Sequence, residues 1–187
     1  SKGRFPLLTM DTGQHYDYKL NEVFYEQLGV QRPDHFLEVG SGALAVQTAA
    51  VLTRAAAVFE STRPRAVVVI GDTNSTLGCA LAAAQMRIPV AHVEAGLRAA
   101  DKGMAEEINR RMVDALADLL CAPSVAARTQ LELERQPGAI VFTRDIAHDV
   151  LRRNLPRARP PAGEAEWPLP PGTPYAIATL SSVWGAS

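Results

Sequence analysis

The chain has 187 residues, of which 47% are hydrophobic and 21% are charged, and its formal net charge at pH 7 is −1. This composition is typical of a globular protein with a sizeable core. No apolar run reaches the ~18 residues that a membrane span needs, and the scattered charges leave no basic footprint for nucleic acid. We therefore expect neither a membrane role nor nucleic-acid binding.

Strand-like and helix-like segments alternate along the chain. Strand-like runs recur at Phe5–Met10, Phe36–Val39, Ala66–Ile70, Pro89–Val93, Leu119–Cys121 and Ala139–Phe142. Helical patterns fall at Lys19–Leu28, Ala43–Ser61, Ser75–Met86, Ala105–Asp118, Ser124–Glu134 and Ile146–Asn154. The alternation predicts an α/β fold with a parallel sheet and helices on both faces, and right-handed crossovers gather the loops that follow the strands at one edge.

The composition changes near residue 155. Residues 156–173 hold six of the thirteen prolines, which indicates a linker rather than core. We expect a domain over residues 1–155, this linker, and the start of a second domain over residues 174–187. An earlier strand is also expected before residue 1, because the first strand-like run begins almost at once.

Two cysteines, Cys79 and Cys121, have neither CxxC nor metal-ligand spacing. We interpret both as buried structural thiols in a reducing compartment, and we expect no metal site. The opening residues SKGRFPLLTMD contain too short an apolar run for an export signal. A cytoplasmic location is the expectation.

Two strand-like runs end on a carboxylate. Asp72 follows VVVIG and Glu94 follows PVAHV, at the sheet edge where ligands of parallel α/β proteins bind. Thr73 adds a hydroxyl at a helix start, which attracts anions. The alternatives are that Asp72 only caps the helix and that Glu94 only pairs with Arg98.

The next predicted helix opens with Glu106 and Glu107, and Arg110 lies one turn beyond Glu106. Taken alone, this pattern is ordinary solvation of an exposed helix. Its position at the same sheet edge as Asp72 and Glu94 favours a functional role instead.

Weaker signals come from isolated polar residues. Gln14 and His15, in TGQHYD, follow a strand and could bind a sugar or phosphate, although a surface turn is an equal alternative. Gln47 is the lone amide in the apolar segment ALAVQTAAVL. His92, inside PVAHV, is more typical of a core histidine with satisfied hydrogen bonds than of a catalyst.

The segments TGQHYD, GDTNSTLGCALAA, IPVAHVEAGLR and EEINRRMVDALADLLCAPS together resemble the non-hydrolysing UDP-N-acetylglucosamine 2-epimerase family. The resemblance covers residues 5–155. It implies the Rossmann-like N-terminal half of a two-domain fold similar to that of GT-B glycosyltransferases, and a cytoplasmic homodimer.

The resemblance also implies an isomerase activity, the conversion of UDP-GlcNAc to UDP-ManNAc, with no cofactor. The family is thought to eliminate UDP across C1–C2 and to add it back after protonation of the other face. By motif, Asp72, Glu94, Glu106 and Arg110 match catalytic positions. The substrate-binding expectation falls on Gln14, His15, Gln47, Thr73 and Arg98.

The chain also departs from the family pattern. Family members begin with a strand and a G-T-R-P-E loop, and they carry an H-R-x-E-N motif where this sequence reads Leu180, Ser181 and Ser182. Ala105 replaces a usual proline. The domain that supplies most uridine-diphosphate contacts is missing, so we expect the chain to be a fragment or a degenerate gene product, inactive alone.

Three alternatives stay open from the sequence. The chain could be half of a GT-B-type glycosyltransferase, or a non-catalytic sugar-nucleotide-binding or assembly module. Within the family, the substrate could be a diacetamido uronic acid sugar nucleotide rather than UDP-GlcNAc.

Overall fold

The computed structural model describes residues 5–13, 29–157 and 173–174. It contains a two-stranded and a four-stranded parallel sheet. The strands are β1 (Met10–Asp11), β2 (His35–Phe36), β3 (Val67–Ile70), β4 (Val90–Val93), β5 (Leu119–Ala122) and β6 (Ala139–Phe142). The helices are α1 (Leu44–Thr62), α2 (Asn74–Gln85), α3 (Ala105–Leu116), α4 (Val125–Leu133) and α5 (Ile146–Asn154). This parallel arrangement with flanking helices confirms the predicted α/β class.

The four-stranded sheet runs in the order β3-β4-β5-β6, so each strand lies beside the next one in the chain. Ile70 pairs with Val93, and Val93 in turn pairs with Cys121, at the carboxyl end of the strands. One helix connects each pair of neighbouring strands. The loops after β3 and β4 therefore lie side by side at one edge.

Side chains alternate in burial along β3. Val67 and Val69 are buried, whereas Val68 and Ile70 are 60% and 53% exposed. The same register buries Val90 of β4. The core thus lies on one face of this sheet, because successive side chains of a strand point to opposite faces.

Helix α1 packs against α2 through a regular buried stripe. Gln47, Val51, Ala55 and Phe59 are its buried residues, four positions apart, as one face of an α-helix requires. The helix ends at Arg63, whose left-handed backbone lets its amide donate to the carbonyl of Phe59.

The largest difference from the predicted elements concerns β2. The strand ends at Phe36 rather than Val39, because Glu38 adopts a left-handed φ of 52° that no extended strand allows, although the amides of Leu37 and Val39 still donate to the carbonyls of Asp11 and Thr12. The predicted first strand, Phe5–Met10, contributes only its last residue to β1. Helix α3 ends at Leu116 rather than Asp118, because the Asp118 amide joins the sheet by donating to the Val90 carbonyl.

Several predictions lie outside the described residues: the helix Lys19–Leu28, the YAIATL strand and most of the 156–173 linker. Both cysteines are free thiols; Cys79 is buried as predicted, whereas Cys121 is partly exposed. Burial raises the pKa of the Cys79 thiol to about 12. None of the helices in the described part combines the length and the hydrophobicity that a membrane span requires.

Candidate active site

The loops after β3 and β4 bring Asp72 and Glu94 to one place. Gly71 has a φ of 73° and its amide donates to the carbonyl of Val93. Glu94 Oε2 lies so near Gly71 that a Cβ atom added to the glycine would be 3.9 Å from it. The carboxylate of Glu94 therefore reaches the backbone next to Asp72.

Glu94 itself adopts a left-handed backbone, with a φ of 69°. This conformation costs an L-residue with a Cβ roughly 1–2 kcal/mol, and such strain clusters at functional sites. The left-handed turn places a half-buried carboxylate at the end of a central strand. The predicted alternative, a Glu94–Arg98 ion pair, does not form within the described residues, because Arg98 has other partners.

Arg110, from the second turn of α3, contacts the first of these loops. Its Nη2 lies 2.5 Å from Asp72 Oδ2, and its Nη1 lies 2.7 Å from Glu107 Oε2. The Asp72 carboxylate is 32% exposed, so it is held by the arginine yet open on its other side. The structure thus places Arg110 beside Asp72, next to the loop that carries Glu94.

Glu107, not Glu106, is the buried acid of α3. Its side chain has no exposed surface, and it accepts hydrogen bonds from Arg110, Arg111 and the Ala99 amide. Burial raises the pKa of Glu107, but these three donors outweigh it and hold the pKa below its usual range. We interpret Glu107 as the residue that orients Arg110.

Glu106 lies on the exposed side of the same turn. It forms no hydrogen bond or ion pair with the described part of the chain, so the possible i,i+4 contact with Arg110 is not used.

Arg98 is part of an internal network. Its guanidinium contacts Glu134 through Nε and Nη2, and its Nη1 lies 2.8 Å from Asp114 Oδ2. These contacts raise the pKa of Arg98 despite its burial, and the bond from Arg98 lowers the pKa of Glu134 to about 2. With its donors engaged, Arg98 is better placed to brace the loop after β4 than to bind a substrate as predicted.

The ion pairs form a chain of alternating charge across the site. Arg111 joins Glu107 at 2.7 Å to Glu134 at 3.6 Å. In order, the members are Asp72, Arg110, Glu107, Arg111, Glu134, Arg98 and Asp114, and the last of these also contacts the ring of His92. Each charge has an opposite neighbour, which offsets the cost of removing it from water.

His92 is fully buried, as predicted for a core histidine, and both ring nitrogens have partners. Nδ1 lies 2.6 Å from Asp114 Oδ1, and Nε2 lies 2.9 Å from the carbonyl oxygen of Gly71. These contacts of His92 therefore connect Asp114 to the residue that precedes Asp72.

Three buried amides support the same loop from the other side. Asn109 Nδ2 donates to the Asp72 carbonyl at 2.9 Å and to Asn74 Oδ1 at 3.1 Å. Asn74 donates to Gln47 Oε1 at 2.7 Å, and Gln47 donates to the Gly40 carbonyl at 2.8 Å. Both ends of the Gln47 amide are engaged, which favours a positioning role over the predicted substrate contact.

Thr73 caps α2, since its hydroxyl accepts from the Thr76 amide at 3.3 Å, and its side chain remains exposed at the site. Gln14 and His15 lie outside the described residues. Within those residues, no group of three His, Cys, Asp or Glu side chains could hold a metal ion. The functional groups at this edge of the sheet are carboxylates and an arginine, which suit proton transfer.

The matching family model is that of UDP-N-acetylglucosamine 2-epimerases, and it covers residues 1–180. A UDP-2,3-diacetamido-2,3-dideoxy-D-glucuronate 2-epimerase of Pseudomonas aeruginosa is 39% identical over 161 residues, which are 84% of this chain and 46% of the relative. A UDP-N-acetylglucosamine 2-epimerase of Methanocaldococcus jannaschii is 42% identical over 120 residues, 64% of this chain and 33% of the relative.

Solved structures agree with these relatives. The Methanocaldococcus jannaschii UDP-GlcNAc 2-epimerase in complex with UDP-GlcNAc and UDP superposes with a TM-score of 0.76 at 38% identity, over 78% of this chain and 41% of that one. The Neisseria meningitidis enzyme bound to UDP-GlcNAc gives a TM-score of 0.72 at 28% identity, over 78% and 40% of the two chains. The chain spans less than half the length of these relatives, and it belongs to the UDP-N-acetylglucosamine 2-epimerase family.

Proposed function

We propose that this chain supplies the acid–base half of a sugar-nucleotide 2-epimerase that converts UDP-GlcNAc to UDP-ManNAc. The main observation behind this proposal is that the Glu94 carboxylate lies close to Gly71, next to Asp72, which is held by Arg110. Two carboxylates at one sheet edge can remove and return a proton. The solved relatives bound to UDP-GlcNAc support this choice of substrate.

The proposed reaction begins when a carboxylate removes the C2 proton of the sugar. The C1–O bond to UDP breaks as the C1–C2 double bond forms, which leaves 2-acetamidoglucal and UDP. A proton then adds to C2 from the opposite face, and UDP oxygen re-forms its bond to C1. Net inversion at C2 requires one proton donor or acceptor on each face.

Asp72, Glu94 and Glu106 are the proposed proton-transfer groups, and Arg110 is the proposed partner that fixes Asp72. Thr73, with its exposed hydroxyl at the start of α2, stays a candidate for substrate binding. Gln14 and His15 remain predictions for the same role. For Gln47 and Arg98 we propose indirect roles, because their polar atoms are already occupied.

A chimera tests the proposal. Residues 5–157 replace the matching part of the Methanocaldococcus jannaschii enzyme, which keeps its remaining residues. The chimera is incubated with UDP-GlcNAc in heavy water, and deuterium at C2 is followed by proton NMR. We expect exchange in the chimera, loss of exchange in Asp72→Asn and Glu94→Gln, and no loss in Glu132→Gln, whose side chain is 49% exposed on α4.

The chain without added residues is the second sample in this experiment. Retained exchange in Asp72→Asn or Glu94→Gln would contradict the assignment of the acids. A chimera that binds UDP-GlcNAc by calorimetry but exchanges no deuterium would contradict the function itself. Exchange by the 187-residue chain alone would overturn the expectation that this chain is inactive by itself.

A second substrate deserves a direct comparison, because the Pseudomonas aeruginosa relative, matched over 84% of this chain, is an epimerase of a diacetamido glucuronate. The same chimera is offered UDP-2,3-diacetamido-2,3-dideoxy-D-glucuronate in heavy water. Faster exchange with this sugar would move the proposal from UDP-GlcNAc to the uronic acid.

The complete protein is proposed to be a cytoplasmic homodimer that needs no cofactor and makes a precursor of surface polysaccharides. Support for self-association comes from Leu44 and Ile108, which are 58% and 46% exposed and line an apolar groove of about 410 Å³ between α1, α2 and α3. Two free thiols fit a reducing compartment. Residues 1–155, 156–173 and 174–187 are the proposed domain, linker and start of a second domain.

A further inference from the structure

The buried pair of His92 and Asp114 touches both loops that carry the proposed acids. His92 Nε2 bonds the carbonyl of Gly71, which precedes Asp72. Asp114 Oδ2 accepts from the amide of Gly96, two residues beyond Glu94, at 3.1 Å. Both side chains have no exposed surface. One interaction inside the core is thus shared between two separate turns.

Both turns contain left-handed backbone, but only Glu94 is strained by it, because glycine adopts this conformation without a steric cost. Gly71 has a φ of 73°, Glu94 a φ of 69° and Gly96 a φ of 84°. Strained backbone persists only where its surroundings fix it. The His92–Asp114 pair supplies one acceptor and one donor at these positions.

The number of hydrogens that His92 and Asp114 hold between them follows from their hydrogen-bond partners. A carbonyl oxygen only accepts, so His92 Nε2 carries a hydrogen that it donates to Gly71. The contact of 2.6 Å between Nδ1 and Asp114 Oδ1 needs a second hydrogen. Asp114 Oδ2 already accepts from the Arg98 guanidinium at 2.8 Å and from Gly96, which is the environment of an ionised carboxylate.

We propose that His92 and Asp114 form an imidazolium–carboxylate bracket that positions Asp72 and Glu94 relative to each other. His92 and Asp114 are positioning residues, since they act through the Gly71 carbonyl and the Gly96 amide. The proposal rests on the proposed function in one respect, the assignment of Asp72 and Glu94 as the acids. The charge state of the His92–Asp114 pair and its contacts with Gly71 and Gly96 can be measured without any substrate.

The ring nitrogens of His92 report the charge state. The ¹⁵N-labelled 187-residue chain is studied at pH 7 by long-range ¹H–¹⁵N correlation, and the His92 signals are identified by their loss in His92→Gln. We expect both nitrogens to resonate as protonated nitrogens, with slowly exchanging ring protons. An unprotonated Nδ1 or Nε2 would overturn the bracket.

Two substitutions separate the two contacts. Glutamine places its amide near the position of Nε2, so His92→Gln should keep the Gly71 contact and lose Asp114. Asparagine places its amide near Nδ1, so His92→Asn should keep Asp114 and lose Gly71. We expect His92→Gln to shift the backbone signals of Gly96 most, and His92→Asn to shift those of Gly71 and Asp72 most.

The control is Val90→Ala, at a residue of β4 that is 1% exposed on the same face as His92. It loosens packing and should leave the signals of Gly71, Asp72 and Gly96 in place. Equal shifts in all three variants would overturn the proposal, because general loosening would then explain them.

In the active chimera, His92→Asn should lower kcat with little change in KM, as expected when the acids are misplaced but substrate contacts remain. A rise in KM with kcat unchanged would overturn the positioning role. An inactive parent chimera would count against the proposed function, while the ring-nitrogen measurement on the 187-residue chain would still decide the bracket.

Discussion

Arg110 fixes Asp72 from a different secondary-structure element, since Nη2 of the arginine on α3 lies 2.5 Å from Oδ2 of the aspartate after β3. The two residues are 38 positions apart in the chain. Glu107, one helical turn before Arg110, holds the other side of the guanidinium at 2.7 Å. The helix start and the strand-end loop are thus locked together by one side chain.

Removing this arginine should lower stability. Arg110→Gln deletes the partner of Asp72 and one of three donors to the fully buried Glu107. Loss of a partner to a buried charge costs several kcal/mol, but Arg111 and Ala99 remain, so we predict a loss of about 2 kcal/mol. Urea unfolding followed by circular dichroism measures the change.

The matched control for Arg110→Gln is Arg128→Gln. Arg128 pairs with Glu132 at 2.8 Å on α4, with side chains that are 53% and 49% exposed. Such surface pairs contribute about 0–1 kcal/mol. Equal losses in the two variants would contradict the view that the Asp72–Arg110–Glu107 contacts fix the site.

Glu94 should reveal its backbone strain when it is substituted. Its φ of 69° favours glycine, so Glu94→Gly should be more stable than Glu94→Ala by about 1 kcal/mol. The control is Arg128, which is 53% exposed in the middle of α4, where glycine should be less stable than alanine by about 1 kcal/mol. Thermal unfolding of the four variants gives both differences, and the same sign at both positions would refute the strain at Glu94.

The sequence predicted the part of the site that depends on the order of strands and loops along the chain. Asp72 and Glu94 each follow a strand of a parallel sheet, so their meeting at one edge follows from topology. Glu107 was not distinguished from Glu106, because which of two adjacent helical acids is buried depends on the distant Ala99 amide. The sequence did contain one signal for Glu107. Arg110 and Arg111 lie three and four residues beyond it, so both arginines can reach its carboxylate from the same helix.

Strand ends were predictable where turn residues flank an apolar run and not where the backbone turns inside the run. β6 has the predicted bounds, and β3 differs from its prediction by one residue. β2 ends early because Glu38 enters the left-handed region, which nothing in a glutamate signals. The partners of Arg98 were missed for a similar reason, since Glu134 reaches it from α4, 36 positions away.

Gly96 should resist substitution. A Cβ at this position would lie 2.4 Å from the Ala127 carbonyl oxygen and 2.7 Å from Leu131 Cγ, and its φ is 84°. We predict that Gly96→Ala loses about 3 kcal/mol through overlap and strain. Gly42→Ala, with nothing within 4 Å, should change stability by less than about 0.5 kcal/mol. Chemical denaturation compares them, and a neutral Gly96→Ala would contradict the packing of this turn against α4.

Glu134 should make the chain sensitive to acid. The bond from Arg98 lowers its pKa from 4.5 to about 2, so the folded state binds this proton less readily than the unfolded state. The resulting stabilisation is complete above pH 4.5 and is lost as the pH falls toward about 2. Its size is on the order of 1–2 kcal/mol, because the side chain is 19% exposed and partly screened.

Urea unfolding between pH 7 and pH 3 tests this dependence on Glu134 against Glu134→Gln and the exposed control Glu132→Gln. The unchanged chain and Glu132→Gln should lose stability in parallel as the pH falls. Glu134→Gln should begin less stable at pH 7 and lose less, since glutamine binds no proton, while Glu107 with its lowered pKa keeps part of the slope. Parallel curves for all three proteins would show that the Arg98–Glu134 contact contributes nothing to the acid sensitivity.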